Sequence, residues 1–362
     1  EEAESVSESS LRVLTPSIRS SAGDERQPEL WFTMNRRSSQ DAVAQKYLKR
    51  AESELKRCGY YEDDLMIAIE INWRDNPWFP PELEQERLDD EANLPAAIYR
   101  HIWEGEYNDE IENAIIPVEW FEAAIDAHVK LGFKPSGAII AAHDPSDEGA
   151  DSKGLAVRHG SIVLHVAENT SGDSNEGCDW AIDEAIRFNA DHFVWDGDGM
   201  GIALKRQVDD ALLGKKIDRF IFRGSESPED PEQVYLSSQN ADESKAKRNK
   251  DTFLNKRAQY YWRLRDRFYN TYRAVEKGEY IDPDSLISLH SGMDCLDKLR
   301  AEVCRIPLKR NNNGKIQIMS KLDMSKKPYE LPSPNMADAL MMTMYAPTPK
   351  LKTKKISFKG WG

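Results

Sequence analysis

Apolar residues in this chain fall in short runs broken by polar turns, and the pattern sharpens after Gly137. Residues 138–143, 154–158 and 162–166 read as three strands, the last two joined by Gly160-Ser161 as a tight hairpin turn. A helical period over 179–188, a strand at 192–195, a helix at 202–213 and a strand at 217–222 follow. Three antiparallel strands followed by alternating helix and strand predict a mixed α/β sheet. Further on, 224–241 reads as a polar loop, 244–277 as a long helix, 294–304 as another, 315–318 as a short strand and 334–344 as an apolar helix. Asn311-Asn312-Asn313-Gly314 reads as a turn.

Before Gly137 the pattern is looser. It predicts a helix over about 1–20, strands at 30–35 and 65–71, and a helix over 39–57 that Ser39 caps and Gly59 stops. Helices follow at 82–91 and 95–104, with Pro95 in a first turn. Residues 105–116 read as a linker, and 118–131 as one helix ended by Gly132. The 362 residues suffice for two cores, and no apolar run approaches the ~20 residues of a membrane helix. The chain opens on Glu1-Glu2-Ala3 without a Met, as a piece of a longer protein would. Its four cysteines form no CxxC pair, which fits a reduced compartment.

Charge changes the picture locally. The net charge is −14, yet Lys245 to Arg273 holds ten Lys or Arg against two Asp, and the tail from Lys350 to Lys359 is basic. An acidic body with basic strips is compatible with DNA along one face; a solvated helix and a loose tail are the plain alternative. The aromatic residues Tyr260, Tyr261, Trp262, Phe268, Tyr269 and Tyr272 on the basic helix read as core, with its arginines outward.

The candidate chemistry is acidic. Asp144 ends the first strand, and Asp196 ends the fourth, before Gly197-Asp198-Gly199-Met200-Gly201. That spacing is neither a dinucleotide loop nor a calcium loop. Asp198 either joins a ligand set or caps the following helix. Asp338 lies in a helix that is otherwise nearly all apolar, and a buried carboxylate requires a metal, a basic partner or several donors. Asp144-Pro145 is also turn chemistry, so each acid has a structural reading. Three on neighbouring buried elements favour a divalent site for phosphodiester hydrolysis, where two metals sit ~3.5–4 Å apart. Lys321, after the 315–318 strand, either meets a phosphate or is simply a solvated lysine. The seven His show no zinc spacing.

These residues resemble the large terminase subunit of tailed bacteriophages over nearly the whole chain. Glu1-Glu2-Ala3 is similar to the end of the family's Walker B strand, which would make Glu1 and Glu2 a magnesium-binding and water-activating pair. Residues 15–19, 30–35, 72–80 and 99–105 resemble segments of the motor and its junction. Residues from about 136 resemble the nuclease domain, and 315–321 with 333–338 are the most distinctive match. The resemblance implies an RNase H-like nuclease fold preceded by the C-terminal remnant of a P-loop ATPase. The domains would be 1–115 (ATPase remnant and linker), 116–134 (connecting helix), 135–348 (nuclease) and 349–362 (basic tail).

Carried over by motif, Asp144, Asp196 and Asp338 are the catalytic metal ligands for two Mg²⁺ or Mn²⁺ ions, with Asp198 an optional addition. Lys247, Arg248, Lys256, Arg257 and Lys321 are the candidate DNA contacts. The implied activity is cutting of concatemeric viral DNA. Implied partners are double-stranded DNA, the portal or procapsid, and the small terminase subunit, in the host cytoplasm and without a membrane. The family's G-x-x-x-x-G-K-[ST] phosphate loop has no counterpart here, so ATP hydrolysis is not expected of this chain. The rival readings are a junction resolvase-type nuclease and a non-catalytic docking module.

Overall fold

The computed structural model describes residues 1–6, 8–18, 28–39, 41–93, 96–107, 114–146, 151–236, 246–310, 313–326 and 331–345. The chain divides into two compact units, Glu1–Ala114 and Ile115–Gly362. Pro95, Lys245, Asn311, Asn312 and the basic tail lie outside the described residues.

In the first unit, Leu11 of helix α1 (Glu8–Ser17) packs with Ala3 and Val43, and Phe32, Met34 and Tyr47 close over them. Residues 30–35, expected as a strand, sit in no sheet among the described residues. Phe32 and Met34 serve this small core instead, while Trp31 is exposed. The helix expected over 39–57 begins at Ala42, beyond Ser39, and passes through a wide turn, Ala44–Leu48, into α2 (Lys49–Cys58). Gly59 ends it in the left-handed region (φ 69°), its N–H donating to Leu55 at 2.8 Å. Strands β1 (Tyr60–Glu62) and β2 (Ile67–Ile69) pair antiparallel across a turn that Asp63 closes by accepting from the N–H groups of Leu65 and Met66. Helices α3 (Pro81–Asn93) and α4 (Ala96–Glu104) complete the unit.

The second unit opens with α5 (Val118–Ala124) and α6 (Ala127–Leu131), where one helix was expected. Asp126 breaks it with a left-handed backbone (φ 51°). Tertiary bonds hold this break: Asp126 N–H donates to Leu289 at 2.8 Å, and its carboxylate accepts from Ser291 N–H at 3.0 Å. The sheet contains β3 (Ile139–Asp144), β4 (Lys153–His159), β5 (Ile162–Asn169), β6 (His192–Asp196), β7 (Asp218–Phe222) and β8 (Ser288–Leu289), in the order β7-β6-β3-β4-β5-β8. The β3-β4 and β4-β5 pairs are antiparallel; β3-β6, β6-β7 and β5-β8 are parallel. The expected mixed sheet is present, with β8 added at its edge. Two residues were too few to show a strand period.

One face of the sheet packs Ala141, Leu155, Val157, Phe193 and Trp195 against Cys178, Ala181, Ile182 and Ala185 of α7 (Ser174–Arg187). The Asp173 carboxylate caps α7 by accepting from Asn175 and Glu176 N–H groups. After β6 the chain makes a tight 3-10 stretch, Gly199–Leu204, and then α8 (Lys205–Ala211).

The long helix expected from Ser244 starts later. A single turn, α9 (Asn249–Thr252), precedes α10 (Lys256–Glu276), and the Asn255 side chain caps α10 by accepting from Ala258 N–H at 3.0 Å. Beyond it come α11 (Leu296–Val303), a hairpin of β9 (Leu308–Arg310) and β10 (Ile316–Ile318), the short α12 (Lys321–Met324), and α13 (Asn335–Met342). Every residue of α13 is buried.

α10 lies against α5, with Phe268 stacked on Phe121 (5.7 Å) and Tyr269 tilted against Trp120 (4.8 Å). The aromatic positions are core, as their spacing implied, but several arginines of this helix also turn inward: Arg257, Arg265 and Arg267 are largely withdrawn from solvent. Arg265 lies over the rings of Trp120 and Trp262, and Arg267 donates to the Leu286 carbonyl at 2.7 Å.

Candidate metal centre

Strand register brings the first two acids together. β3 and β6 run parallel as neighbours, with His143 opposite Trp195, so Asp144 and Asp196 end side by side at the carboxyl edge of the sheet. α13 delivers Asp338 to the same edge. It approaches β4 so closely that a Cβ on Gly154 would stand 2.2 Å from the Asn335 carbonyl oxygen, and Gly154 is the register partner of Asp144. Only glycine leaves room there.

Asp144 is 3% and Asp338 5% exposed, which forces both to be partnered. Lys321, at the start of α12, places its Nζ 2.7 Å from Asp144 Oδ2 and 3.3 Å from Asp338 Oδ2. Asn335 steadies the ammonium by accepting from it at 2.9 Å, while its own amide donates to the Ser152 carbonyl at 2.7 Å. Asp338 receives three further donors: Arg257 Nη2 at 3.0 Å, Arg257 Nε at 3.2 Å and the Tyr261 hydroxyl at 2.6 Å.

The protonation states follow from this placement. Burial pushes the Asp144 carboxyl up to about 6, with Lys321 pulling down and Asp338 pushing up. Burial and then the Asp144 charge push Asp196 up to about 7. Burial would also raise Asp338, but Arg257 and Lys321 outweigh it and hold that group below the usual carboxylate range. Three oxygen-donor side chains at one sheet edge, two of them pushed toward the protonated form and Asp338 held ionised, make a donor set for a hard divalent cation. No His, Cys or acidic trio among the described residues already closes on one point. The Lys321 ammonium lies between Asp144 and Asp338, so a cation's position between these carboxylates is held by an amine. The donor chemistry fits Mg²⁺ or Mn²⁺.

Other expected site residues fall elsewhere. Asp198 does not cap the helix after it; its two oxygens accept from Ser225 N–H and Oγ, each at 2.8 Å, tying the loop after β7 to the loop after β6. Two expected DNA contacts are spent internally. Arg257 holds Asp338, and Lys256 is 9% exposed, paired with Glu226 at 3.1 Å. Arg257 is recruited by the buried Asp338, whereas Lys256, itself buried, pairs with an exposed acid. Arg248 is exposed but paired with Glu232 at 2.6 Å, and Lys247 is exposed. Lys321 lies among the carboxylates. Glu1 and Glu2 are exposed at the start of the first unit.

Sequence reading missed Tyr261, Asn335, Gly154 and Glu302. Asn335 had a signal, a polar side chain three positions before Asp338 on an apolar helix; the others gain their roles only through tertiary contact. The Glu302 carboxylate accepts from Ala337 N–H at 3.0 Å in the first turn of α13. Burial pushes this group up to about 8, above the ordinary 4.5. The folded chain therefore keeps a proton that the unfolded chain has lost between these values, so this group's contribution to stability falls as pH rises through that window. Glu302→Gln, which keeps the acceptor, is expected to flatten that slope. Urea unfolding at pH 5 and pH 8 measures it, and an unchanged slope in the variant would reject the assignment.

A family model described as phage terminase large subunit matches residues 1–106. The nuclease domain of the large terminase subunit of bacterial virus Sf6 is 51% identical, covers 65% of this chain and 100% of that one, and superposes with a TM-score of 0.61. A lysine-to-alanine variant of that Sf6 domain, determined with manganese and beta-thujaplicinol, matches at 50% identity and a TM-score of 0.60 over 65% of this chain and all of its own. A lysine-to-alanine variant with calcium matches at 51% identity and 0.60, with the same coverage. No curated protein matches.

Proposed function

Since this chain belongs to the phage large terminase subunits and carries their nuclease fold, a metal-dependent endonuclease, we propose that Asp144, Asp196 and Asp338 are the metal ligands with which it cuts DNA. The observation that carries this reading is the convergence of the three acids at one sheet edge, with Asp144 and Asp338 sharing one cation. Bound there, divalent ions would activate water and neutralise the charge that builds on the phosphate.

The chain's own residues prepare the site. Arg257 and Tyr261 fix the Asp338 rotamer, and Asn335 aims Lys321 at the Asp144 carboxylate. Fixed groups lose no orientation when substrate arrives. Lys321 supplies positive charge beside the acids. Asp198 serves as a tie to Ser225, which leaves three ligands in the set.

The substrate in this reading is concatemeric double-stranded viral DNA, cut as packaging starts and ends. The working partners are the portal on the procapsid and the small terminase subunit, in the host cytoplasm. No helix among the described residues is long and apolar enough to cross a membrane. Lys247 remains an exposed candidate for the DNA backbone. In the domain scheme, 1–115 is the ATPase remnant with Glu1 and Glu2 from its Walker B end, 116–134 connects, 135–348 is the nuclease and 349–362 a basic tail. The likeness is to terminase nucleases, which leaves the junction-resolvase reading and the docking-module reading without support.

The test is nicking of supercoiled plasmid with Mn²⁺ or Mg²⁺, wild type beside Asp144→Ala and Asp338→Ala. Nicking that chelator abolishes and both variants lack is expected. Cleavage persisting in both variants would reject these ligands.

A further inference from the structure

The loop after β7 is fastened at three points, beside Asp196, at Asp198 and at the residue that grips Asp338. Gly197 N–H donates to the Phe222 carbonyl at 2.7 Å, extending the β6-β7 ladder one residue past Asp196. Ser225 bonds Asp198 through its N–H and hydroxyl. Arg257 N–H donates to the Gly224 carbonyl at 2.9 Å, and the same residue's side chain grips Asp338. Residues 222–225 therefore run between the Asp196 strand end and the helix that holds Asp338.

Within that segment Phe222 and Gly224 are buried, and Ser225 is committed to Asp198. Arg223 is exposed, and among the described residues its guanidinium has no carboxylate or hydrogen-bond partner. Its stem passes over Gly197, with Cγ 3.6 Å from where a Cβ would stand, so a residue with no side chain forms its floor. The acids of the adjoining segments are engaged elsewhere: Asp196 Oδ1 accepts from Asp198 N–H at 2.9 Å, both Asp198 oxygens accept from Ser225, and Glu226 pairs with Lys256. The result is an unneutralised arginine on a rigid mount at the rim of an acidic site.

Such a site repels its own substrate, and an anionic backbone must be held beside it for cleavage. An arginine fork matches phosphate oxygens in geometry and charge. We infer that Arg223 binds a DNA phosphate next to the scissile bond, as a substrate-positioning residue on the Asp196 side of the site. The inference rests on the nuclease reading above and adds a phosphate contact on a residue outside the acids and outside α10.

The test compares wild type, Arg223→Ala and Arg223→Lys in two assays. In the first, a fluorescent DNA duplex is titrated in chelator at several salt concentrations, and anisotropy reports binding. Loss of one phosphate contact is expected to lower the slope of log affinity against log salt by about 0.9 in Arg223→Ala, with Arg223→Lys keeping the slope. In the second, plasmid nicking with Mn²⁺ is expected to fall about 10–100-fold in kcat/KM for Arg223→Ala, the size of a charged hydrogen bond. Arg223→Lys should recover part of this, because an ammonium keeps the charge but loses the fork. An Arg223→Ala protein with the wild-type salt slope and wild-type nicking overturns the inference. A wild type that binds DNA but never nicks it would sink the nuclease reading, and the salt slope would still decide Arg223.

Discussion

Asp196→Asn is expected to remove metal-dependent nicking while leaving the metal-free protein at least as stable as the wild type. Even outer partners of metal ligands are worth about 10–100-fold, so loss of a direct ligand should cost more than about 100-fold in rate. Stability should move the other way. Burial and the Asp144 charge put the Asp196 carboxyl at about 7, against an ordinary 3.8. Between those values the folded chain binds a proton that the unfolded chain has released. Wild-type stability from this group therefore declines as pH climbs from about 4 to about 7 and is level above. Asparagine has no proton to lose and keeps a similar shape. In chelator, urea unfolding should show the variant gaining on the wild type from pH 5 to pH 8. Adding Mn²⁺ at pH 8 should reverse the order, because only the wild type would gain binding energy. A variant that nicks at the wild-type rate would remove Asp196 from the ligand set.

Gly154→Ala is expected to damage fold and activity together. The added methyl would stand 2.2 Å from the Asn335 carbonyl oxygen, 2.5 Å from its carbon and 2.9 Å from Met336 N. All three are backbone atoms, so no side chain can swing aside. Either β4 bends or α13 backs away. Overpacking of this kind costs about 1–3 kcal/mol, and here the backbone that must move carries a proposed ligand. Asn335 and Asp338 lie on α13, and a displacement of ~1 Å in a reacting group can cost about 100-fold. Thermal unfolding and plasmid nicking check the two halves. A variant that nicks normally would show that α13 can shift without moving Asp338. As a contrast, Gly199 has nothing within 4 Å of an added Cβ and strains only its φ of 60°.

The acids were legible because each breaks a strong local pattern. Asp144 and Asp196 end apolar runs, and Asp338 interrupts an apolar helix. The succession of strands and helices from 138 to 222 was legible for the same reason, since alternation and turn residues are local. What could not be read was pairing across long sequence separations. Arg257 meets Asp338 and Lys321 meets Asp144 only once the sheet, α10 and α12 have assembled. The basic residues at the start of α10 read as an outward face, yet Arg257 pairs with the buried Asp338 and Lys256 with Glu226. The break at Asp126 was hidden similarly: nothing near it in sequence stops a helix, and Leu289 and Ser291 supply the bonds that do. The start of α10 was different. Asn255 is an ordinary cap, overlooked because helical propensity continues on both sides of it.

α10 runs unbroken for 21 residues, about 30 Å of helix. Its first turns hold Asp338, and two turns further along it rests on Trp120 and Phe121. The neighbourhood of the proposed ligands is therefore small in space but wide in the gene. An inherited change in α5 that thins the aromatic stack would leave every acid in place and still tilt the post that steadies one of them. In a collection of random variants, null alleles for cleavage should scatter well outside the codons for the three acids, with a cluster where α5 and α10 meet.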